Sequence, residues 1–499
     1  MFRSLFQGRM DVYAVRWESK NGKSGYSPVC INEWDRAVCK KPIIKCSDCQ
    51  HRKFTPLTDD VIYHHLSGKR TVGIYPLLHD ETCLFLAIDF DKNDWQKDTK
   101  AFLQTCHTSN VPAVIERSRS GKGAHVWIFF ETPVSASLAR NLGSALLTKT
   151  MEERYELTFN SYDRLFPNQD TMPKGGFGNL IALPLQGESR KAGNSVFVDE
   201  HFQPYDDPWA FLSTIRKMKE ADVQAIIHGL IKQGHVTGIQ DNETEGGQED
   251  RPWNASLTNE IERITGPLPE KVKMVQSNLL YIEKVGLSPA VLNRLNRLAA
   301  FQNPEFYKAQ AMRLSTFDKQ RIISCAEDYP NHIALPRGCV DAVISLLQDY
   351  GVKTEVIDER CTGEKIEACF QGELYAEQKE AVKNLLAHDT GILSATTAFG
   401  KTVVAAAMIA ERKVNTLILV HRKELMGQWM ERLASFMDTP FKEIGQIGGG
   451  KQKRTGRIDI AVMQSVSRKG IVKDFVSEYG HVIVDECHHL SAYSFEQML

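Results

Sequence analysis

At 499 residues, 42% hydrophobic and 25% charged, the chain exceeds what one core can organise and has the composition of ordinary soluble domains, so three or more domains are expected. Lys plus Arg (61) nearly balances Asp plus Glu (62), so overall charge neither argues for a nucleic-acid partner nor excludes one, because basic residues can cluster locally. No window is apolar enough for a membrane helix, MFRSLFQGRMDVYAVRW lacks an apolar h-region and a small-residue cleavage site, and 11 cysteines spread over such a length are no secreted disulfide framework; a cytoplasmic address is expected.

Four of the cysteines crowd into the first fifty residues. Cys30, Cys39, Cys46 and Cys49 offer four thiolates with one tight C-x-x-C knuckle, which suits tetrahedral Zn²⁺. Lys40, Lys41, Lys45, Arg52 and Lys53 around them favour thiolate formation, and His51 could replace one thiolate. Four such ligands leave no open position, so residues 1–55 read as a structural zinc-binding element.

Residues 56–235 alternate strands and helices. RTVGIYPLL and TCLFLAIDFD are strands joined at His79-Asp80-Glu81; a helix follows from Trp95 to Thr108, then strands AVIERSR and AHVWIFF. Ser135 to Met151 has helical periodicity, Asn179 to Leu185 is a buried strand, and DDPWAFLSTIRKM opens a helix after an Asp cap. In LAIDFD, period-two alternation puts Asp89 and Asp91 on one face of the strand end, where two carboxylates can share divalent cations. In Ser120-Gly121-Lys122-Gly123-Ala124-His125, glycines let backbone approach phosphate, Ser120 and Lys122 add a donor and a charge, and His125 opens an apolar strand from which its ring can reach the same site.

The order Asp-x-Asp, helix, strand, S-G-K-G-x-H, strand resembles the archaeo-eukaryotic primase superfamily, which includes primase-polymerases and the polymerase domain of bacterial end-joining ligases. That resemblance implies an RRM-like α+β primase fold and a third metal-binding acid before a further strand. The candidates in YDRLFPNQDTMPKGGFGNLIALPL are Asp170, favoured, and Asp163. By the same resemblance, Asp89, Asp91 and Asp170 hold Mg²⁺ or Mn²⁺, Ser120, Lys122 and His125 grip the incoming NTP or dNTP, and Arg190 and Lys191 are further phosphate candidates.

Residues 236–256 mix glycine with one-sided acidic charge and read as a linker. A helix-rich segment runs to about residue 330, followed by the strand–helix–strand unit HIALPRG–CVDAVISLLQDYG–VKTEVIDE; together, 257–370 read as a helicase-associated region. From 371 to 499 the pattern is α/β, with strands GILSA, TLILVH, IDIAVM and HVIVDE. Ala395 to Thr402 fits a P-loop whose first glycine is alanine: Thr397 and Gly400 belong to the phosphate-cradling loop, Lys401 reaches the β/γ oxygens and Thr402 helps hold Mg²⁺. HVIVDECHH supplies Asp485 for the metal and Glu486 to orient the attacking water.

These pieces resemble superfamily-two helicases of the excision-repair type. The resemblance implies that Gln378 reads adenine and that Arg422 and Gln464 touch DNA, with Met463 replacing the usual Thr of the T-x-Q motif. The family's S-A-T motif, second RecA-like lobe and arginine finger do not follow before Leu499. The chain as given is therefore expected to hold half an ATP site, binding ATP weakly and not unwinding DNA unless it is part of a longer protein.

Taken whole, the chain resembles the primase–helicase proteins of TOTE conflict systems, truncated after the DECH box. The expected product is an α/β multidomain DNA-handling enzyme: zinc element, primase domain, helix-rich middle and one RecA-like lobe. It would act on single-stranded template or duplex DNA, use ATP, (d)NTP, Mg²⁺ or Mn²⁺ and Zn²⁺, have no membrane partner, and work beside further conflict-system proteins. The alternative is an ATP-dependent helicase whose N-terminal module binds DNA or nucleotides without polymerising.

Overall fold

The computed structural model describes residues 1–41, 43–44, 46, 48–91, 94–231, 268–396, 398–468 and 471–487. The expected linker, 236–256, and Thr397 of the phosphate loop lie outside the described residues. By compactness the chain forms two units: Met1–Lys271 with Lys284–Leu335 and Ala342–Lys353, and Val272–Glu283 with Pro336–Asp341 and Thr354–Leu499. Much of the expected helicase-associated region, 257–370, thus belongs with the N-terminal unit. Among the described residues no helix is long and apolar enough to cross a membrane.

The N-terminal unit is built on two antiparallel sheets. The first contains β1 (Ala14–Glu18), β2 (Ser24–Pro28), β3 (Val72–Ile74) and β8 (Ile181–Ala182) in the order β2-β1-β3-β8. The second contains β4 (Thr82–Phe90), β5 (Ala113–Arg117), β6 (Ala124–Ser135), β7 (Leu165–Phe166) and β9 (Val196–Val198) in the order β7-β4-β6-β5-β9. Its two central strands are near-continuous apolar runs because both faces are covered. Leu86, Ile88 and Phe90 of β4 and Val126, Ile128 and Phe130 of β6 pack on helices α2 (Trp95–Thr108), α3 (Ala136–Glu153) and α4 (Glu220–Ile231). The alternate residues, Phe85, Ala87, Trp127 and Phe129, meet Phe6, Val72, Ile74 and helix α1 (Asp59–Leu66). With every inward position committed on both faces, a one-residue slip would reverse both sets, so the register that carries the site is firmly held.

Two later helices, α5 (Pro289–Leu298) and α6 (Pro304–Ala311), belong to the same unit, each begun by a side-chain cap (Ser288, Asn303) and a proline. Gln310 on α6 and Arg321 beyond it reach back to Asp170 and Asp163.

His65 on α1 is fully buried. Its Nε2 lies 3.0 Å from the Pro184 carbonyl and its Nδ1 accepts the Val72 N–H at 3.0 Å, a pairing that needs the neutral ring. Burial lowers its pKa to about 4 from the usual 6.5. Between those values the unfolded chain binds a proton that the native one does not, so this contribution is complete above pH 6.5 and is lost as pH falls toward 4. Against His65→Gln, the wild type should lose about 3 kcal/mol more stability between pH 7.5 and 4.5 in denaturant titrations. Identical losses in the two proteins would refute this role.

The C-terminal unit carries a sheet of β10 (Thr416–Val420), β11 (Gly445–Gly448), β12 (Lys451–Lys453), β13 (Ile458–Val462) and β14 (His481–Val484) in the order β12-β11-β13-β10-β14, parallel except for β12. Helices α7 (Ala376–Leu386), α8 (Lys401–Arg412) and α9 (Lys423–Phe436) accompany it. Ile409 of α8 and Trp429 and Leu433 of α9 cover one sheet face with Ile418, Val420 and Ile460. The expected strand GILSA is not formed. Gly391–Ala395 has no ladder partner among the described residues, Ile392 is 79% exposed, and β14 remains the sheet edge.

Candidate active sites

The strand register assembles the N-terminal site. Asp89 of β4 stands opposite His125 of β6, and His125 stands opposite Glu116 of β5, so three polar side chains cross the sheet in one row. His125 Nδ1 lies 2.9 Å from Glu116 Oε2, and its Nε2 is 3.7 Å from Asp89 Oδ1. Glu116, 1% exposed, also accepts from Trp127 Nε1 at 3.1 Å and the Ser195 hydroxyl at 3.3 Å. Burial alone would lower the His125 pKa. The charge and hydrogen bond of Glu116, with the charges of Asp89 and Asp91, outweigh it and hold the ring above its ordinary value.

Asp91 follows directly on β4. Gly123 packs so closely on this strand end that a Cβ would stand 2.5 Å from the Phe90 carbonyl oxygen and 3.1 Å from the Asp91 Cα, which is why the loop needs glycine there. Gly121 has φ +72 beside Asn194, a second position suited to glycine. Within the loop the Ser118 and Ser120 hydroxyls are 3.1 Å apart, Ser120 Oγ accepts the Lys122 N–H at 3.3 Å, and Lys122 projects into solvent. Arg190 lies half-buried on the short helix Gly187–Lys191, and Lys191 pairs with Glu188 at 2.8 Å.

A residue outside the expected set joins the acids. The Asp89 N–H donates to the Arg164 carbonyl at 3.1 Å, extending the β4–β7 ladder and setting the Arg164 side chain beside the carboxylates. Its Nη1 is 3.3 Å from Asp89 Oδ2 and also donates to Asp91 Oδ2. Burial pushes the Asp89 carboxyl above its ordinary value and Asp91 adds to that, against the opposing charges of His125 and Arg164. One cationic centre therefore already touches both carboxylates, whose oxygens are the donor type a divalent cation takes.

Asp170 has partners of its own. Arg140 on α3 binds it through two nitrogens, Nη2 to Oδ2 at 3.0 Å, and Gln310 Nε2 donates to the same oxygen at 2.9 Å. Burial would raise its pKa, but the Arg140 charge and hydrogen bonds lower it on balance. Asp163 Oδ1 accepts the Arg321 N–H at 2.9 Å, and burial raises its pKa. Both candidate third acids thus tie the core to the α5–α6 segment.

The four cysteines line a single pocket with His51, Lys41 and Arg52. Among the described residues, no three of the ligand-type side chains stand in a metal-binding arrangement. Lys53 N–H donates to Cys30 Sγ at 3.3 Å, and Lys41 pairs with Glu33 at 2.8 Å.

In the C-terminal unit Gly400, φ +87, caps α8, and Lys401 and Thr402 are its first two residues, half-buried. The buried Gln378 spans the loop: its Oε1 accepts the Tyr375 N–H at 3.1 Å and its Nε2 donates to the Phe399 carbonyl at 2.7 Å. A Cβ on residue 400 would come within 2.6 Å of that Nε2. Asp485, after β14, accepts from Trp429 Nε1 at 2.8 Å, and Glu486 has φ +53. Arg422 precedes α9 and is exposed, and Gln464 Nε2 donates to the His421 carbonyl at 3.4 Å.

Residues 1–226 match the family model of the TOTE conflict system archaeo-eukaryotic primase domain, and residues 371–499 match that of the type III restriction enzyme res subunit. The chain joins a TOTE-type archaeo-eukaryotic primase domain to a superfamily-two helicase domain. The helicase domain is similar to the DNA 3'-5' translocase XPB2 of Sulfurisphaera tokodaii, 34% identical over 25% of this chain and 27% of that protein. It is also similar to the DNA 3'-5' helicase XPB of Kineococcus radiotolerans, 32% identical over 23% of this chain and 22% of that protein. The chain thus spans about a quarter of the length of these curated relatives. Among solved structures, the primase-polymerase domain of cyanophage S-2L matches 42% of this chain and 90% of its own at 13% identity and a TM-score of 0.19.

In the primase domain, Glu116 and Arg164 are the residues that sequence reading missed. Glu116 had a visible signal: a carboxylate directly after the apolar run Ala113–Ile115 of the strand AVIER, opposite the strand that carries His125. Glu116→Gln keeps the side chain's size but removes the charge that offsets His125 burial. With the fold intact, KM for the incoming nucleotide should rise about tenfold, the low end for a residue orienting a functional histidine. An unchanged KM in steady-state incorporation would count against this positioning role.

Proposed function

We propose that the primase domain is a metal-dependent nucleotidyl transferase that joins nucleotides on a DNA template, and that the helicase domain couples ATP to movement on DNA. The observation that carries the first part is the row Asp89–His125–Glu116 beside Asp91, with the Gly121–Gly123 loop packed on the same strand end. Asp89 and Asp91 would hold Mg²⁺ or Mn²⁺, and Arg164 is their counter-ion in its absence. Bound there, a divalent ion supplies charge neutralisation for attack of a 3′-hydroxyl on a nucleotide α-phosphate. Ser120, Lys122 and His125 bind and orient the triphosphate, with Glu116 fixing the His125 ring so that Nε2 faces the acids. Arg164, released from the carboxylates, is one more cation for the phosphates.

Asp170 we assign to holding α3 against α6. The four cysteines we assign to one structural Zn²⁺, supported by their shared pocket; loss of zinc with Cys46→Ser and Cys49→Ser is the expected result. In the helicase domain Lys401, Thr402 and Asp485 would take the nucleotide phosphates and Mg²⁺, with Glu486 orienting water. Work beside further conflict-system proteins in the cytoplasm completes this reading.

One observation favours the rival, a site that binds nucleotides without polymerising them: both candidate third acids are engaged elsewhere. Incubation with template, Mn²⁺ and labelled nucleotides separates the two. Template-dependent product is expected; nucleotide binding without product would establish the rival.

A further inference from the structure

The described residues between Cys30 and Lys53 form a small projection of the primase domain whose surface suits a ligand. Trp34 is 67% exposed and has φ +64, a conformation costly for a bulky residue and not repaid by burial. Ile31, 63% exposed, and Ile43, 89% exposed, add apolar surface. Lys41 Nζ sits 5.8 Å from the centre of the Trp34 ring. Arg36, Lys40 and Lys53 are exposed with no ion-pair partner among the described residues, whereas Glu33 is already taken by Lys41. An exposed indole with Lys41 at its ring, in a segment that also exposes Arg36, Lys40 and Lys53, is complementary to a base stacked on the ring and to backbone phosphates.

The projection is firmly seated. Its ends are joined by the Ile31 N–H to the Lys53 carbonyl at 2.8 Å and the Asn32 amide to the His51 carbonyl at 2.7 Å. Arg52 Nη1 donates to the Gly175 carbonyl at 2.9 Å, and Phe54 packs edge-on against Phe177 at 4.9 Å. It continues directly from β2, whose Tyr26 lies beside Arg119 of the Ser118–Gly123 loop. The projection is thereby linked, through β2, to the loop of the proposed nucleotide site.

We infer that the Cys30–Lys53 projection is a single-stranded DNA-binding element, with Trp34 stacking a base and Arg36 and Lys40 holding the backbone. This rests on the reading of the domain as template-dependent. Its test requires no synthesis: binding of a 20-nucleotide single strand by the full chain, without nucleotide or added divalent cation. Trp34→Ala should weaken binding about tenfold, Trp34→Phe less than about threefold, and Arg36→Ala with Lys40→Ala should lower the salt slope by about 1.4. A 5-iodouracil strand should photocrosslink to the peptide containing Trp34. Unchanged affinity for Trp34→Ala with no such crosslink would overturn the inference, as would an equal loss for Trp34→Phe or an equal loss on duplex DNA. Polymerisation failing while these effects hold would refute the catalytic reading alone.

Discussion

Replacing Asp89 and Asp91 together by alanine is expected to abolish nucleotide incorporation, by at least about a thousandfold, while the domain stays folded. The magnitude follows from what carboxylates do at such a site: without them nothing localises the cations that neutralise charge on the phosphate in the transition state. Stability should change little or even rise. Asp89 is half-buried, its carboxyl is destabilised by that burial and by Asp91, and Arg164 next to it retains access to solvent when released. Thermal unfolding of the double variant beside its incorporation rate checks both halves. Product from the double variant at more than a few per cent of wild type would place the chemistry elsewhere.

Arg140→Ala is expected to have the largest effect on stability. Arg140 is 5% exposed and binds Asp170, itself largely buried, through two nitrogens; removing it leaves a largely buried carboxylate with the Gln310 amide and the more distant charge of Arg321. Breaking one partner of a buried ion pair costs about 3–5 kcal/mol. Asp170→Asn is milder, because the amide oxygen still accepts from Arg140, and the folded fraction should keep incorporation within about threefold of wild type. A thousandfold loss in Asp170→Asn at native stability would return Asp170 to the metal site and reverse our assignment.

The strands that carry the site were legible because they are buried on both faces and begin or end in charge. LAIDFD and GAHVWIFF announce themselves, and alternation alone put Asp89 and Asp91 on one side. What alternation cannot supply is the neighbour. Glu116 becomes a partner of His125 only through the β5–β6 register, and Arg164 reaches the acids only because a two-residue strand, Leu165–Phe166, pairs with Ala87–Ile88. The family resemblance implied a third metal-binding acid before a strand, with Asp170 favoured for its place there. The arginine that claims it comes from a helix thirty residues earlier, invisible to local pattern. GILSA read as a strand by composition, yet a strand needs a paired edge, and five residues cannot state whether one exists.

The central claim is that Asp89 and Asp91 form a metal site for which Arg164 is the resting counter-ion. Crystals grown with Mn²⁺ and a non-hydrolysable nucleoside triphosphate, measured at the manganese edge, address it directly. The expected result is anomalous density against both carboxylates, with Arg164 withdrawn toward the triphosphate. Arg164 still bridging Asp89 and Asp91, with nucleotide bound and no manganese there, would contradict the account.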